Sequence, residues 1–278
     1  MDSEHINYKE VMHNKLKKCK FRGKELEPIG LDYLYVNISP EFIEYKRCTC
    51  SKAIEYWKKI DAQNIEKQKK KHFREIINTI YKHNYIGRNL QNYNFNNFIV
   101  NSNNQLAVKV AYDYINKSKT KLQSNGLIIT GRSGVGKTHL AAAIANELIE
   151  NDKIVLMGRL TTLLDMIKET FRDNTKSENE LIELYSNVDM IIIDDLGTEK
   201  ISSWALEKLY TIIQNRFENG FPIIITTRFD KKGLISRFNY SNDLELVDAT
   251  ISKLYQMCYG IMLKSVKKEL VNVAKQNN

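Results

Sequence analysis

Gly131, Gly134, Gly136, Lys137 and Thr138 are spaced for one task, holding a chain of phosphates. The run Gly131-Arg132-Ser133-Gly134-Val135-Gly136-Lys137-Thr138 fits the template G-x-x-x-x-G-K-[ST] at every fixed position. Glycines let successive backbone N–H groups turn inward onto phosphate oxygens, and a helix N-terminus adds positive dipole at the same point. Lys137 can reach the terminal phosphates, and the Thr138 hydroxyl can ligate Mg²⁺. Arg132, Ser133, Val135 and His139 complete the candidate nucleotide-binding set. A second group follows, Met190-Ile191-Ile192-Ile193-Asp194-Asp195-Leu196-Gly197. Four apolar residues running into two carboxylates suit a strand buried on both faces whose end opens on a ligand. Asp194 is expected to hold Mg²⁺, directly or through water, and Asp195 to orient or activate the attacking water. Lys137 and Asp195 are thus the candidate catalytic pair, and Thr138 and Asp194 the candidate metal ligands.

The elements that must position these residues are legible around them. Gly126–Thr130 reads as a short buried strand, and the Ala- and Leu-rich run from His139 to Ile149 as a helix. Alternation continues beyond: a strand at Lys153–Met157, then a helix from Leu160 to about Phe171 with Leu163, Leu164 and Ile167 inward. A helix at Glu178–Tyr185 precedes the acidic strand, 188–194. A helix at Ser203–Asn219 and a strand at Phe221–Thr227 come next. The order predicts an α/β fold, a P-loop parallel sheet with helices on both faces. The end of the last strand, Thr226-Thr227-Arg228, should lie beside the glycine loop, where its polar residues could sense a γ-phosphate or hold a water, Thr227 joining the candidate nucleotide-binding set, or where Thr hydroxyls simply cap the strand. A helix from about Leu246 to Cys258, a strand at Gly260–Leu263 and a basic tail with Lys264, Lys267 and Lys268 close the sequence.

The first third is different. The first 82 residues carry 18 Lys plus Arg against 12 Asp plus Glu, so most of the net charge of +9 sits there. Residues 41–82 hold neither Gly nor Pro and read as a long basic helix, whole or broken. Ile54, Trp57, Ile65, Phe73, Ile76, Ile77 and Ile80 recur at helical spacing, and Lys67, Lys69, Lys70, Lys71 and Arg74 form a basic patch. Such a patch is either a solvated face or a contact for nucleic acid or a protein partner. Pro28–Gly30 reads as a turn, and Leu31–Asn37 as a strand or a loop. Residues 1–84 are expected to form a small, mainly helical partner-binding domain, and 85–278 the nucleotide-binding domain. The Asn-rich stretch 83–105, with Tyr85, Tyr93, Phe95 and Phe98, reads as the linker. A helix from Gln105 to about Lys121 follows, with Ala107, Val108, Ala111, Tyr112 and Ile115 on one face.

Four cysteines in 278 residues do not make a secreted disulfide scaffold. Cys48 and Cys50, with Cys19 and either His13 or His72, could hold Zn²⁺; free thiols are the alternative reading. The N-terminus has no apolar signal core, and no apolar run reaches the roughly 18 residues of a membrane span. A cytoplasmic protein with an anionic partner is the expectation, since its pI is about 9.1.

Gly131 to Thr138, Ile191 to Gly197, Trp204 ahead of Leu209-Tyr210, and Arg216-Phe217 before Pro222–Thr227 resemble the AAA+ ATPases of the DnaC/DnaI helicase-loader group, which includes the IstB transposition helper. Phe95-Asn96-Asn97-Phe98 is similar to that group's Phe-x-x-Phe segment. Cys48-Thr49-Cys50 before a long helix resembles the end of the cysteine-rich module of some loaders. The similarity covers about 85–265. The resemblance implies ATP and Mg²⁺ as cofactors and side-by-side self-association. It also implies a replicative hexameric helicase as partner, and its delivery onto single-stranded DNA. An IstB-like helper on duplex DNA, or a weakly hydrolysing ATP-switched adaptor, are the alternatives. Three departures bear on turnover. Arg228 replaces the usual Asn, Ser252-Lys253-Leu254 replaces Ser-Arg-Leu, and the terminal Gly-x-x-Tyr-Arg is missing. Arg237 or Lys253 then stands as the candidate trans finger.

Overall fold

The computed structural model describes residues 17–27, 45–80, 88–120, 125–173, 177–239 and 243–264. His13, Pro28–Gly30, Leu31–Asn37, Tyr85, Lys267 and Lys268 lie outside the described residues, as does the side chain of Ile80. The chain divides into two compact units, Met1–Lys71 and His72–Asn278.

Helix α1, Ser51–Ile80, begins in the first unit and ends in the second. Ahead of it, a tight turn from Cys19 to Lys24 is closed by Gly23 N–H on the Cys19 carbonyl at 2.8 Å and by Cys19 N–H on the Lys24 carbonyl at 2.8 Å. Arg47 pairs with Asp61 and lies 4.6 Å over the Trp57 ring. Ile54 and Ile65, expected on an apolar face, are 51% and 56% exposed. Helical spacing alone does not say how many faces a helix buries.

The second unit holds the sheet. Its described elements are α2 (Gln105–Thr120), β1 (Gly126–Gly131), α3 (Lys137–Glu150), β2 (Val155–Arg159), α4 (Leu160–Asp173), α5 (Glu178–Asn187), β3 (Met190–Asp194), α6 (Ser203–Asn219), β4 (Ile223–Thr227), α7 (Lys231–Phe238), α8 (Leu244–Met257) and β5 (Cys258–Leu263). All five strands are parallel, in the order β2-β3-β4-β1-β5. Parallel neighbours need crossovers, and the helices supply them on both faces.

Alternation along the strands divides the core in two. Ile128, Leu156, Ile191, Ile193, Ile223 and Ile225 face α4, α5, α6 and α8, with Phe73, Ile76 and Ile77 of α1 joining that cluster. Leu127, Ile129, Val155, Met157, Ile192 and Ile224 face α2 and α3. Both faces are covered, which is why the strands read as continuous apolar runs. On α2, Ala107, Val108, Ala111 and Ile115 are buried as expected, with Tyr114 beside them, while Tyr112 is 43% exposed. Tyr112 packs instead against the Phe95 ring, 4.3 Å away.

Buried Arg216 ties three element ends together. Its guanidinium donates to the carbonyls of Tyr185 at 2.8 Å, Val188 at 3.1 Å and Pro222 at 3.1 Å. Burial pulls it down to about 9, so it is still charged at neutral pH.

Candidate functional site

The strand order explains how distant residues meet. β4 lies between β1, which carries the glycine loop, and β3, which carries the acids. In register, Ile129 pairs with Thr226 and Ile193 with Ile225, so the end of β4 falls between the loop and the carboxylates.

Helix α3 starts without a side-chain cap. Its N-cap is Gly136 at φ 98, whereas α5, α6, α7 and α8 are capped by Ser177, Ser202, Asp230 and Asp243. The first N–H groups of α3 therefore face the loop's concavity, the arrangement that receives anions. Gly134 at φ 78 and Gly136 both sit in the left-handed region, and a Cβ on Gly136 would also meet the Phe98 ring at 3.2 Å. The buried Lys137 ammonium donates to the Gly131 and Arg132 carbonyls, each at 2.9 Å. Burial lowers its pKa, and Arg228 nearby adds to that, while Asp195 and Asp194 oppose it.

The two predicted metal ligands are brought together. The Thr138 hydroxyl lies 2.9 and 3.0 Å from the two Asp194 carboxylate oxygens. Thr226 donates its hydroxyl to Asp194 Oδ1 at 2.6 Å and accepts the Asp195 N–H at 2.8 Å. Asp195 itself takes a left-handed φ of 52, uncommon for a residue with a side chain. Its Oδ2 accepts from Arg228 Nη2 at 3.1 Å. Thr227 is turned away: its buried hydroxyl donates to the Leu196 carbonyl at 2.8 Å. A period-2 strand sends Thr226 and Thr227 to opposite faces, and the sequence alone does not say which faces the site.

Lys137, Thr138, Asp194, Asp195 and Arg228 line a cleft of about 400 Å³ that also includes Gly134, His139, Arg159, Leu90 and Tyr93. The stretch read as a linker is strapped onto α3. Asn146 Nδ2 donates to the carbonyls of Leu90 at 3.0 Å, Gln91 at 3.2 Å and Tyr93 at 2.7 Å. His139 stacks on Tyr93 at 4.4 Å, and its Nε2 lies 2.8 Å from Asn97 Oδ1 and 3.2 Å from the Asn94 carbonyl. Both partners accept, so Nε2 carries the proton. Leu90, Tyr93 and Arg159 were not singled out by sequence as site residues, whereas Thr226 belongs to the strand end expected beside the loop. The aromatic and Asn-rich composition before the loop was the available signal for the first two.

Both finger candidates are engaged within their own chain. Arg237 donates to the Gly197 carbonyl at 2.9 Å and the Thr198 carbonyl at 3.2 Å. The Lys253 ammonium sits 4.2 Å over the Phe217 ring. A separate, larger hollow of about 1270 Å³ opens over β1 and β5, with Lys264 on its lining.

In the first unit the Sγ atoms of Cys19, Cys48 and Cys50 lie within 4.8 Å of one another, the potential metal-ligand cluster among the described residues. Arg22 Nη2 donates to Cys48 Sγ at 3.3 Å. The Cys48 thiol is lowered to about 6, first by the Cys50 backbone N–H, then by the Cys19 thiol and Arg22. No described helix is long and apolar enough to cross a membrane.

Comparison with known proteins agrees with this geometry. Residues 90–238, more than half of the chain, match the family described as the bacterial DnaA ATPase domain. The replicative helicase loader DnaC of Escherichia coli K12 is 34% identical over 133 residues, which cover 48% of this chain and 54% of DnaC. The loader DnaI of Bacillus subtilis 168 is 25% identical over 205 residues, covering 73% of this chain and 63% of DnaI. The chain thus spans little more than half the length of the DnaC relative it matches. A crystal structure of the DnaC helicase loader superposes with a TM-score of 0.55 at 25% identity, covering 64% of this chain and 100% of that one.

Proposed function

This chain belongs to the bacterial DnaA ATPase-domain family, and from that premise we propose that it binds ATP with Mg²⁺ and loads a replicative hexameric helicase onto single-stranded DNA. The observation that carries the reading is the meeting of Thr138, Asp194 and Thr226 beside the uncapped, positive-φ glycine loop. The named similarity to DnaC and DnaI supports the helicase partner.

The residues fit Mg²⁺–ATP. The loop supplies inward N–H groups, a buried ammonium and two glycines where side chains are disfavoured. Bound Mg²⁺–ATP supplies the phosphoanhydride and the cation that offsets its charge. Residues Gly131 to His139 would bind the phosphates. Lys137 would carry positive charge to the terminal phosphates. Thr138 and Asp194 would ligate Mg²⁺, with Thr226 fixing the Asp194 carboxylate. Asp195 would orient a water and accept its proton. Tyr93 and Leu90 line the same cleft.

The basic first third, residues 1–84, would dock the helicase, and 85–278 would carry the nucleotide and associate with further copies. Cys19, Cys48 and Cys50 would supply three of the four ligands of a structural Zn²⁺ site, with free thiols as the alternative. We place the protein in the cytoplasm. The Arg228–Asp195 ion pair favours one second reading, an ATP-switched adaptor with slow turnover.

Co-purification of the full-length chain with a replicative helicase, with and without ATP, tests the proposal. Retention that strengthens with ATP and is lost in Lys137→Ala is expected. Failure to retain a helicase under either condition sinks the loader reading and moves attention to duplex DNA binding by an IstB-like helper.

A further inference from the structure

We propose that the basic turn around Cys19 is a binding site for single-stranded nucleic acid, which stacks a base on Phe21 and sets its phosphates on the surrounding lysines. The site is built from residues of the first unit alone. It goes beyond the loader reading and does not depend on the nucleotide cleft.

Three observations carry it. The first is charge. Residues 17–24 read Lys-Lys-Cys-Lys-Phe-Arg-Gly-Lys, five cations in eight positions and no acid. The four lysines and Arg22 are exposed, while Cys19 among them is buried, so the turn folds inward on its thiol and shows charge outward. On α1, Lys52 and Lys59 stand about one turn to either side of Tyr56 on the same helix face, and both are exposed. The second is the ring in the middle of the turn. Phe21 is 37% exposed, although the turn is already closed by its own backbone bonds and does not need the ring outside. Phe21 meets Tyr56 edge to face at 5.6 Å, and Tyr56 meets Trp57 in the same way at 5.1 Å. Such contacts, unlike stacks, do not use up the ring faces. The third is where the cations sit. The Lys20 ammonium lies 3.1 Å from the Tyr56 ring centre and 5.0 Å from that of Phe21, and the Arg47 guanidinium lies 4.6 Å from that of Trp57.

The chemistry then selects the ligand. A single strand offers one phosphate and one flat base per nucleotide, and aromatic rings among cations answer both. The alternation of cation and ring along the turn matches the alternation of phosphate and base along a strand. An acidic protein surface has no such alternation to match. A duplex keeps its base faces inside its own stack and offers the turn only phosphates. Stacking and charge contacts are shared by DNA and RNA, so the ligand class is the single strand itself.

The test measures Kd by fluorescence anisotropy over a salt series, using the full-length chain with labelled oligothymidylate and oligouridylate. Phe21→Leu keeps an apolar side chain against Tyr56 and removes the aromatic face. It should weaken binding of the single strands about fivefold or more, and leave binding of a duplex unchanged. Phe21→Trp should bind at least as tightly as wild type. Lys18→Gln combined with Lys24→Gln should flatten the slope of log Kd against log salt by about 1.4, the share of two single-strand phosphate contacts. A Phe21 effect on one strand alone supports the site and assigns it to DNA or to RNA. Matching unfolding curves for the variants exclude a folding defect. Single-strand binding and salt slope unchanged in Phe21→Leu and in the double lysine variant overturn the site. A loss in Phe21→Trp equal to that in Phe21→Leu overturns it too, since the ring is then structural. Intact strand binding with lost helicase retention in Phe21→Leu makes the turn a helicase dock, which overturns the site and supports the loader reading. Strand binding that depends on Phe21 in a chain that retains no helicase keeps the site and sinks the loader reading.

Discussion

The Thr138 hydroxyl and the Asp194 carboxylate, 56 residues apart in sequence, lie 2.9 Å apart, and Thr226 fixes the same carboxylate oxygen from the other side at 2.6 Å. Thr226 is buried and makes no other approach to the cleft than through Asp194 and the Asp195 N–H. Its role is orientation of a metal ligand. Thr226→Val keeps the shape and removes the hydroxyl. Orienting partners of metal ligands typically contribute 10–100-fold in metal affinity, so the Mg²⁺ needed for half-maximal nucleotide binding should rise by about that factor. An unchanged Mg²⁺ titration would remove Thr226 from the site.

Lys137 makes two hydrogen bonds to its own loop, so its loss should spare the fold. Lys137→Ala is expected to cost roughly 2–5 kcal/mol in ATP binding, the range for removing one partner of a desolvated charge contact. Calorimetry with ATP measures the first effect and thermal unfolding the second. Unchanged ATP binding would collapse the whole nucleotide reading. The ammonium is the form that attracts phosphate, and burial lowers its pKa. ATP affinity in the wild-type chain should therefore fall on alkaline titration before an exposed lysine would lose its proton.

Arg216 offers a stability prediction independent of ligand. Arg216→Met fills a similar volume but leaves the carbonyls of Tyr185, Val188 and Pro222 without their donor. Each buried group left unpaired costs about 1–3 kcal/mol, so a loss of roughly 3 kcal/mol or more in urea unfolding is expected. A variant as stable as wild type would mean that water or a local shift replaces the guanidinium.

Much of the second unit was legible because its signals are local. The glycine loop follows β1 and the two acids fall at the end of β3 as expected, and the parallel sheet with helices on both faces follows from the alternation. The rest depends on strand order, which no local pattern encodes. Only the insertion of β4 between β1 and β3 sends Thr226 rather than Thr227 to Asp194 and brings Arg228 to Asp195. Helix α7 went unread because Lys231–Phe238 is too short to show a clear period. The strap from Leu90 to Phe98 looked like a linker because its bonds to Asn146 and His139 span about half a hundred residues of sequence. In β2 the strand begins at Val155 and extends to Arg159, two residues later at each end than expected, and so carries Arg159 to the cleft.

The thiol cluster makes both folding stability and metal affinity depend on pH. An ordinary thiol titrates near about 8.5. Cys48 in the folded chain is lowered to about 6, because the Cys50 N–H, the Cys19 thiol and the Arg22 guanidinium favour its thiolate. A lowered pKa means that the folded state gains stability above the unfolded value and loses it as pH falls through about 6. Metal affinity should follow the same course, since Zn²⁺ takes the thiolate. Metal analysis of the purified chain should find about one Zn²⁺ per chain at neutral pH, with release on titration below about 6. After chelation, Cys48 should alkylate faster than Cys19 and Cys50 at pH 7, and Arg22→Ala should slow it by removing a charge that favours the thiolate. Equal alkylation of all three cysteines, together with a metal-free chain at neutral pH, would reduce the cluster to three neighbouring thiols without a shared function.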